Sequence, residues 1–389
     1  MVSGVPITEA SQPALRQLVT EVARWLDLPP DTPARLTLEP EIAAGFDARR
    51  TRQLSIGLPL LACLNVAEVR ALVGHELTLL HRPDARQVIR TLARRSQAVL
   101  DEEYEDGRAR RRARATRRKL DPLAAEVQHG ADGAAITAAG GREPAARAFA
   151  LAGLVQDEYV TFMVESGVPP YALRLFEAGI SDLDDGWRRT VRRGVAESLW
   201  DADAAALQAT VHPRLAETMT ALGAGPLPLA EAARPVPVSP LTVREQRRLV
   251  RELRAIDPLK IVRWTTFQDA PASWWRRRAA KYAKGVRADV VTLLGREPVD
   301  DVETIEVLRS RARELTALVF GVPVAEVTGD AGPDEPQMWL LEDHLLRRGW
   351  RLEHPAVRGV LVAPDGRRVD GYEVLGTGVD PTAVRGLLG

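Results

Sequence analysis

The 389-residue chain contains a single cysteine, Cys63. No intrachain disulfide can form, so a disulfide-stapled fold is excluded. Cys63 lies in the apolar run from Leu58 to Leu64, where a small core residue is expected. Such poverty in cysteine fits a reducing compartment, and a cytoplasmic location is the expectation. Net charge is also lacking: Lys+Arg and Asp+Glu both total 53. A dedicated nucleic-acid binder usually carries an excess of basic charge, so nucleic acid is not the expected partner. There is no run of roughly 18 apolar residues, which leaves no transmembrane helix to expect. The opening residues MVSGVPITEASQ have neither the basic start nor the apolar stretch of a signal peptide. Also missing are a Gly-x-Gly-x-x-Gly fingerprint, a P-loop and a serine-centred nucleophile elbow.

What is present is 45% hydrophobic content over a length that suits one large or two ordinary domains. Residues 12–27 place Leu15, Leu18, Val19, Val22 and Leu26 on one stripe, predicting a helix that Pro29-Pro30 ends. Residues 35–41 and 53–57 read as strands. Asn65 is an N-cap candidate for a helix from Val66 to about Leu80, stopped at Arg82-Pro83-Asp84. Next come an acidic stretch, 101–106, and a basic one, 108–119. The two predict a solvated helix or helical hairpin in which one charge neutralises the other. Further helices are predicted at about 123–139 and 143–167. Residues 222–240 are rich in Pro, Gly and Ala and form the best linker candidate. Beyond them, 241–256, 301–320 and 336–349 read as helices. Pro364-Asp365-Gly366 between two apolar runs predicts a β-hairpin. The fold expected is therefore α+β and mainly helical: domain 1–222, linker 223–240, and a small α/β domain 241–389 to which no chemistry can be assigned.

The chemically informative segment is Val69-Arg70-Ala71-Leu72-Val73-Gly74-His75-Glu76-Leu77-Thr78-Leu79-Leu80-His81. A zinc-peptidase helix needs histidines at i and i+4 on one face to grip the metal. The glutamate after the first histidine acts as general base on metal-bound water. His75 and Glu76 satisfy half of this pattern, and Leu79 occupies the i+4 position. His81 lies at i+6, roughly 240° around the helix from His75. By itself a His-Glu dipeptide is equally the mark of an ordinary hydrogen-bonded helix histidine.

The wider pattern carries more. Strands leading to Gly57-Leu58-Pro59-Leu60-Leu61, then Ala71-Leu72-Val73-Gly74-His75-Glu76-Leu77, then Gln128-His129-Gly130-Ala131-Asp132, then His212-Pro213-Arg214-Leu215, occur in that order. Over about residues 10–222 the chain resembles the CAAX prenyl protease / HtpX-type zinc metallopeptidases, peptidase family M forty-eight. The resemblance implies a gluzincin-like domain with a small edge sheet. Carried over by position, it makes His75 the first zinc ligand and Glu76 the general base. It puts Leu79 and Gln128 where the second and third ligands should be. Asp132 becomes the carboxylate supporting a ligand, and His212 a histidine beside the catalytic centre. One of three protein ligands survives. Leucine has no lone pair, and a glutamine carbonyl is a poor zinc partner. Rebuilding a site from His75, His81 and His129 is opposed by the i+6 geometry and by the roughly 100° between Gln128 and His129 on a helix.

The expectation is a pseudo-peptidase without cofactor, acting through a peptide or protein partner or as a scaffold for its second domain. Catalysis by Glu76 and His212 would be vestigial. The alternatives are a working zinc metalloendopeptidase with atypical ligands, and a nucleic-acid or acidic-membrane binder using residues 108–119 and 274–284. For the second segment, Trp274-Trp275-Arg276-Arg277-Arg278, an amphipathic helix with tryptophan on the core and arginine in solvent is the plainer expectation. His344 and His354, without ligand-like neighbours in sequence, are expected to be structural.

Overall fold

The computed structural model describes residues 4–104, 107–165, 211–223, 236–242, 272–320, 323–326, 334–354 and 357–375, with isolated positions at 205, 244, 245, 248, 249 and 386. The chain divides into two compact units, Met1–Trp264 and Thr265–Gly389. Both combine a helical majority with a small sheet, and no helix among the described residues is long and apolar enough to cross a membrane.

The first unit begins with strand β1 (Val5–Ile7) and helix α1 (Pro13–Trp25), followed by β2 (Ala34–Thr37), β3 (Ile42–Phe46) and β4 (Arg52–Gly57). The strands form one sheet in the order β1-β2-β4-β3, with β2 and β4 parallel and the other pairings antiparallel. β3 therefore lies at an edge. Leu15, Val19 and Val22 of α1 are buried, as are Leu36, Leu54 and Ile56 of the sheet. Burying one apolar stripe of a helix on one apolar sheet face is what their periodicities of 3.6 and 2 require. At the end of β4, a Cβ on Gly57 would stand 1.9 Å from the Glu39 carbonyl oxygen. Only glycine permits this close approach, across which Gly57 N donates to Glu41 O at 2.8 Å.

A short helix α2 (Leu58–Leu61) leads into α3 (Val66–His81). Asn65 caps α3 in a reciprocal box with Glu68: Glu68 N donates to Asn65 Oδ1, and Asn65 N donates to Glu68 Oε2, both at 2.9 Å. Glu68 also accepts from Arg147 Nε at 3.2 Å, which ties the start of α3 to α6 (Arg142–Glu165). Between them run α4 (Ala85–Tyr104) and α5 (Gly107–Ala139), the arms of a helical hairpin. The two opposite charge runs meet across it, Glu102 pairing with Arg114 at 2.7 Å and Arg117 at 2.8 Å; outside the runs, Arg95 pairs with Asp121 at 2.8 Å. Helix α5 starts sixteen residues before the predicted 123 and passes through Pro122 without ending. α3 packs against α5 at Gly74, where a Cβ would lie 2.8 Å from the Ala138 methyl. That contact brings the next residue, His75, close to α5. Helix α7 (Ala216–Leu222) follows the His212-Pro213 segment. Within the predicted linker, Ser239 exchanges two hydrogen bonds with the Gln12 side chain, at 2.8 and 2.9 Å.

The second unit comprises α8 (Ala272–Leu294), α9 (Asp301–Ser310), α10 (Ala312–Phe320), α11 (Asp334–Arg347), strands β5 (Arg351–His354), β6 (Val357–Val362) and β7 (Arg368–Asp370), and α12 (Gly371–Leu375). The predicted helix 301–320 is broken at Arg311, and most of the predicted 241–256 helix lies outside the described residues. The predicted hairpin is β6–β7, with Gly366 at φ 87° in its turn, and β5 adds a third antiparallel strand. Ala279, Ala283, Leu308, Met338, Leu341, Leu345 and Leu361 form the core. Arg287 bridges Asp301 at 2.8 Å and Asp343 at 2.9 Å, linking α8, α9 and α11.

Candidate functional site

Four elements of the first unit converge on one buried polar cluster. His75 comes from α3, Gln128 and Asp132 from successive turns of α5, Phe149 from α6, and His212 from the segment before α7. Relative exposure is 2% for His75, 0% for Asp132 and 6% for His212. Groups this deeply buried must find partners inside the protein. His75 Nδ1 is hydrogen-bonded to Glu76 Oε1 at 2.8 Å, and His75 Nε2 to Gln128 Oε1 at 2.5 Å. His212 Nδ1 is hydrogen-bonded to Asp132 Oδ1 at 2.8 Å, while Asp132 Oδ2 accepts from Arg214 N at 3.2 Å. Phe149 closes the cluster, edge-on to His75 at 5.0 Å and tilted over His212 at 3.9 Å between ring centroids.

The two imidazoles are driven apart electrostatically. Burial lowers the pKa of His75, but the hydrogen bond and charge of Glu76, the charge of Asp132 and the Gln128 carbonyl outweigh it, leaving a net rise above 6.5. His212 moves below 6.5: burial dominates, the charge of His75 adds to it, and Asp132 only partly compensates. A donor at His75 Nε2 facing a carbonyl oxygen is consistent with the first shift.

The sequence-predicted positions divide clearly. His75, Glu76, Gln128, Asp132 and His212 are brought together. Leu79 is instead packed in an apolar cluster with Val88, Val127 and Ala131, flanked by Ala44 and Leu92. His81 Nε2 is hydrogen-bonded to Thr32 Oγ1 at 2.7 Å, and His129 is exposed. The zinc centre implied by the resemblance does not fit these residues: a hydrocarbon plug fills its second ligand position, and the third, Gln128, is hydrogen-bonded to the nitrogen that would bind metal. A different donor set exists. One donor atom each from His75, Asp132 and His212 lie within 4.8 Å of one another, a grouping that could hold a metal ion.

Two participants carry no sequence signal that singles them out. Phe149 is one aromatic among several in α6. Glu41 has a pKa raised from 4.5 to about 7 by burial and by repulsion from Glu39 and Glu76; the nearby acidic pair Glu39 and Glu41 was its only clue. Glu76 Oε2 also accepts from Ala44 N of edge strand β3 at 2.8 Å.

The other candidate segments lie elsewhere. Arg108, Arg110, Arg111 and Arg112 at the start of α5 are exposed. In α8, Trp275 is buried while Arg276 and Arg277 are exposed; Tyr282 stacks on Trp339 at 4.3 Å, and Arg278 lies over the same indole at 5.0 Å. His344 Nδ1 is hydrogen-bonded to Asp301 Oδ2 at 3.1 Å. No family model, curated protein or solved structure matches the chain.

Proposed function

We propose that this chain is a catalytically degenerate, metallopeptidase-like protein that works by binding a peptide or protein. The observation that carries this reading is the pair of occupied ligand positions: Leu79 in its apolar cluster and Gln128 Oε1 on His75 Nε2. Catalytic zinc normally keeps three protein ligands and a water whose pKa the metal lowers to about 7. Without that water, Glu76 has nothing to deprotonate, and its carboxylate is taken up by His75 and Ala44. The framework around the cluster supports a binding role: β3 is an edge strand beside α3, and an extended peptide can add there by displacing the Glu76 carboxylate from Ala44 N. Metal analysis of the purified protein together with a casein-cleavage assay tests this. Substoichiometric zinc and no cleavage are expected; stoichiometric, tightly held zinc with cleavage would overturn it.

A second reading rests on the His75, Asp132 and His212 grouping, which offers two nitrogens and a carboxylate oxygen to a divalent ion. It requires the present hydrogen bonds His75–Gln128 and His212–Asp132 to open. Tight metal binding that is lost on His212→Ala, without peptidase activity, would favour it over the metal-free reading.

A further inference from the structure

Beside the buried cluster lies a separate cavity of about 220 Å³. Leu92 and Arg95 of α4, Arg117, Asp121 and Gln128 of α5, and Val211 line it. At roughly 30 Å³ per water it holds roughly seven waters, room for a small organic acid or one terminal residue, but not for a folded segment. Gln128 reaches both compartments: its Oε1 is bound to His75, and its amide nitrogen has no hydrogen-bond partner among the described residues.

The polar lining is unevenly satisfied. Among the described residues, Arg95 uses only Nε, toward Asp121 Oδ1 at 2.8 Å. Arg117 Nε lies 2.8 Å from Glu102 Oε2, yet it is buried and makes no aligned hydrogen bond. The terminal nitrogens of both guanidinium groups have no hydrogen-bond partner among the described residues. Among the described residues, the local ion pairs set three arginines (Arg95, Arg114, Arg117) against two carboxylates (Glu102, Asp121), an excess of one positive charge. Planar guanidinium forks match a carboxylate in shape as well as charge. Asp121 on the wall disfavours a doubly charged phosphate, while Leu92 and Val211 offer apolar contact to the carbon next to a carboxylate.

We propose that this cavity binds a carboxylate group, held between Arg95 and Arg117 with the Gln128 amide nitrogen as a third donor. The ligand is either the free C-terminus of a polypeptide or a small aliphatic acid. The site stands on the cavity alone and does not depend on metallopeptidase ancestry or on the metal content of the neighbouring cluster.

Isothermal titration of the full chain distinguishes the sources. The probes are an N-acetylated Ala-Leu dipeptide with a free carboxylate, the same dipeptide amidated, 4-methylpentanoate and inorganic phosphate. Binding of the free dipeptide, with loss on amidation and weaker binding of 4-methylpentanoate, identifies a chain terminus. Equal or tighter binding of 4-methylpentanoate identifies a small acid. Arg95→Met and Arg117→Met are each expected to weaken binding about tenfold or more. Arg95→Lys, which keeps the charge and a partner for Asp121 but removes the fork, separates recognition from misfolding, and it too should weaken binding. The proposal is overturned if no carboxylate binds at about 10 mM. Phosphate binding more tightly than either carboxylate, or affinity unchanged in folded Arg95→Lys and Arg117→Met, overturns it as well.

Discussion

Replacing Glu41 with Gln should stabilise the protein, and by an amount that depends on pH. The Glu41 carboxyl sits partly buried among like charges from Glu39 and Glu76, and its pKa is raised from 4.5 to about 7. Between these two values the folded state binds more protons than the unfolded one, so stability falls as pH rises through the window. Above pH 7 the full difference applies, about 3 kcal/mol at 1.36 kcal/mol for each tenfold change in proton affinity. Solvent at the exposed part of the side chain screens this to about 1–3 kcal/mol. Glutamine keeps the shape and removes the charge. Urea unfolding followed by far-ultraviolet dichroism at pH 8 and pH 5 measures the effect as a shift of midpoint at constant slope. The variant should gain about 1–3 kcal/mol at pH 8 and under about 1 kcal/mol at pH 5. An equal gain at both pH values would locate the effect in packing, and no gain at pH 8 would refute the electrostatic account. Glu76→Gln should lower the Glu41 pKa, because Glu76 is one of the charges that raise it.

Leu79→His alone should cost about 2–4 kcal/mol, since it sets a polar ring among Val88, Val127 and Ala131; combined with Gln128→Glu it should bring zinc to about one ion per chain by atomic absorption, the stoichiometry of a site with three protein ligands and a water. Ring-nitrogen NMR should find His75 titrating above 6.5 and His212 below it, and the reverse order would invalidate the charge pattern of the cluster. By linkage, His75 stabilises the fold below pH 6.5 and loses that contribution as pH rises through its folded value, whereas His212 costs stability as pH falls below 6.5. Gly57→Ala should destabilise by more than about 2 kcal/mol in urea, because the new methyl would meet the Glu39 carbonyl at 1.9 Å and force the strand end apart.

Much of the scaffold was legible because local chemistry and packing agree. The Asn65 cap, the Glu68 at its third position and the stop at Arg82-Pro83 bound α3 within a residue of the sequence reading. The opposite charge runs left a single solvated helix or a hairpin open; the α4–α5 hairpin is the form found, since an antiparallel return lets Glu102 meet both Arg114 and Arg117. Strands β1 and β3 were not read. Val5-Pro6-Ile7 is too short to show a period, and Ile42-Ala43-Ala44-Gly45-Phe46 has small residues where β-branched ones usually mark a strand. Their pairing with β2 and β4 is a tertiary fact. So is the site geometry: spacing put His75, Gln128, Asp132 and His212 in order, but only the contact of α5 with α3 at Gly74 places a glutamine carbonyl on the imidazole. Arg311 likewise shows no breaker chemistry, yet the chain bends there between α9 and α10.

The hydrogen bond from Ala44 N to Glu76 has a bearing on how copies of the chain avoid one another. An open sheet edge is a template on which a second molecule can align and aggregate. β3 is such an edge, and the carboxylate occupies the amide at its middle residue. The Glu76 carboxylate thus caps that amide and guards the edge against self-association. Glu76→Ala should leave the Ala44 amide open, and the first sign of its loss would be concentration-dependent turbidity.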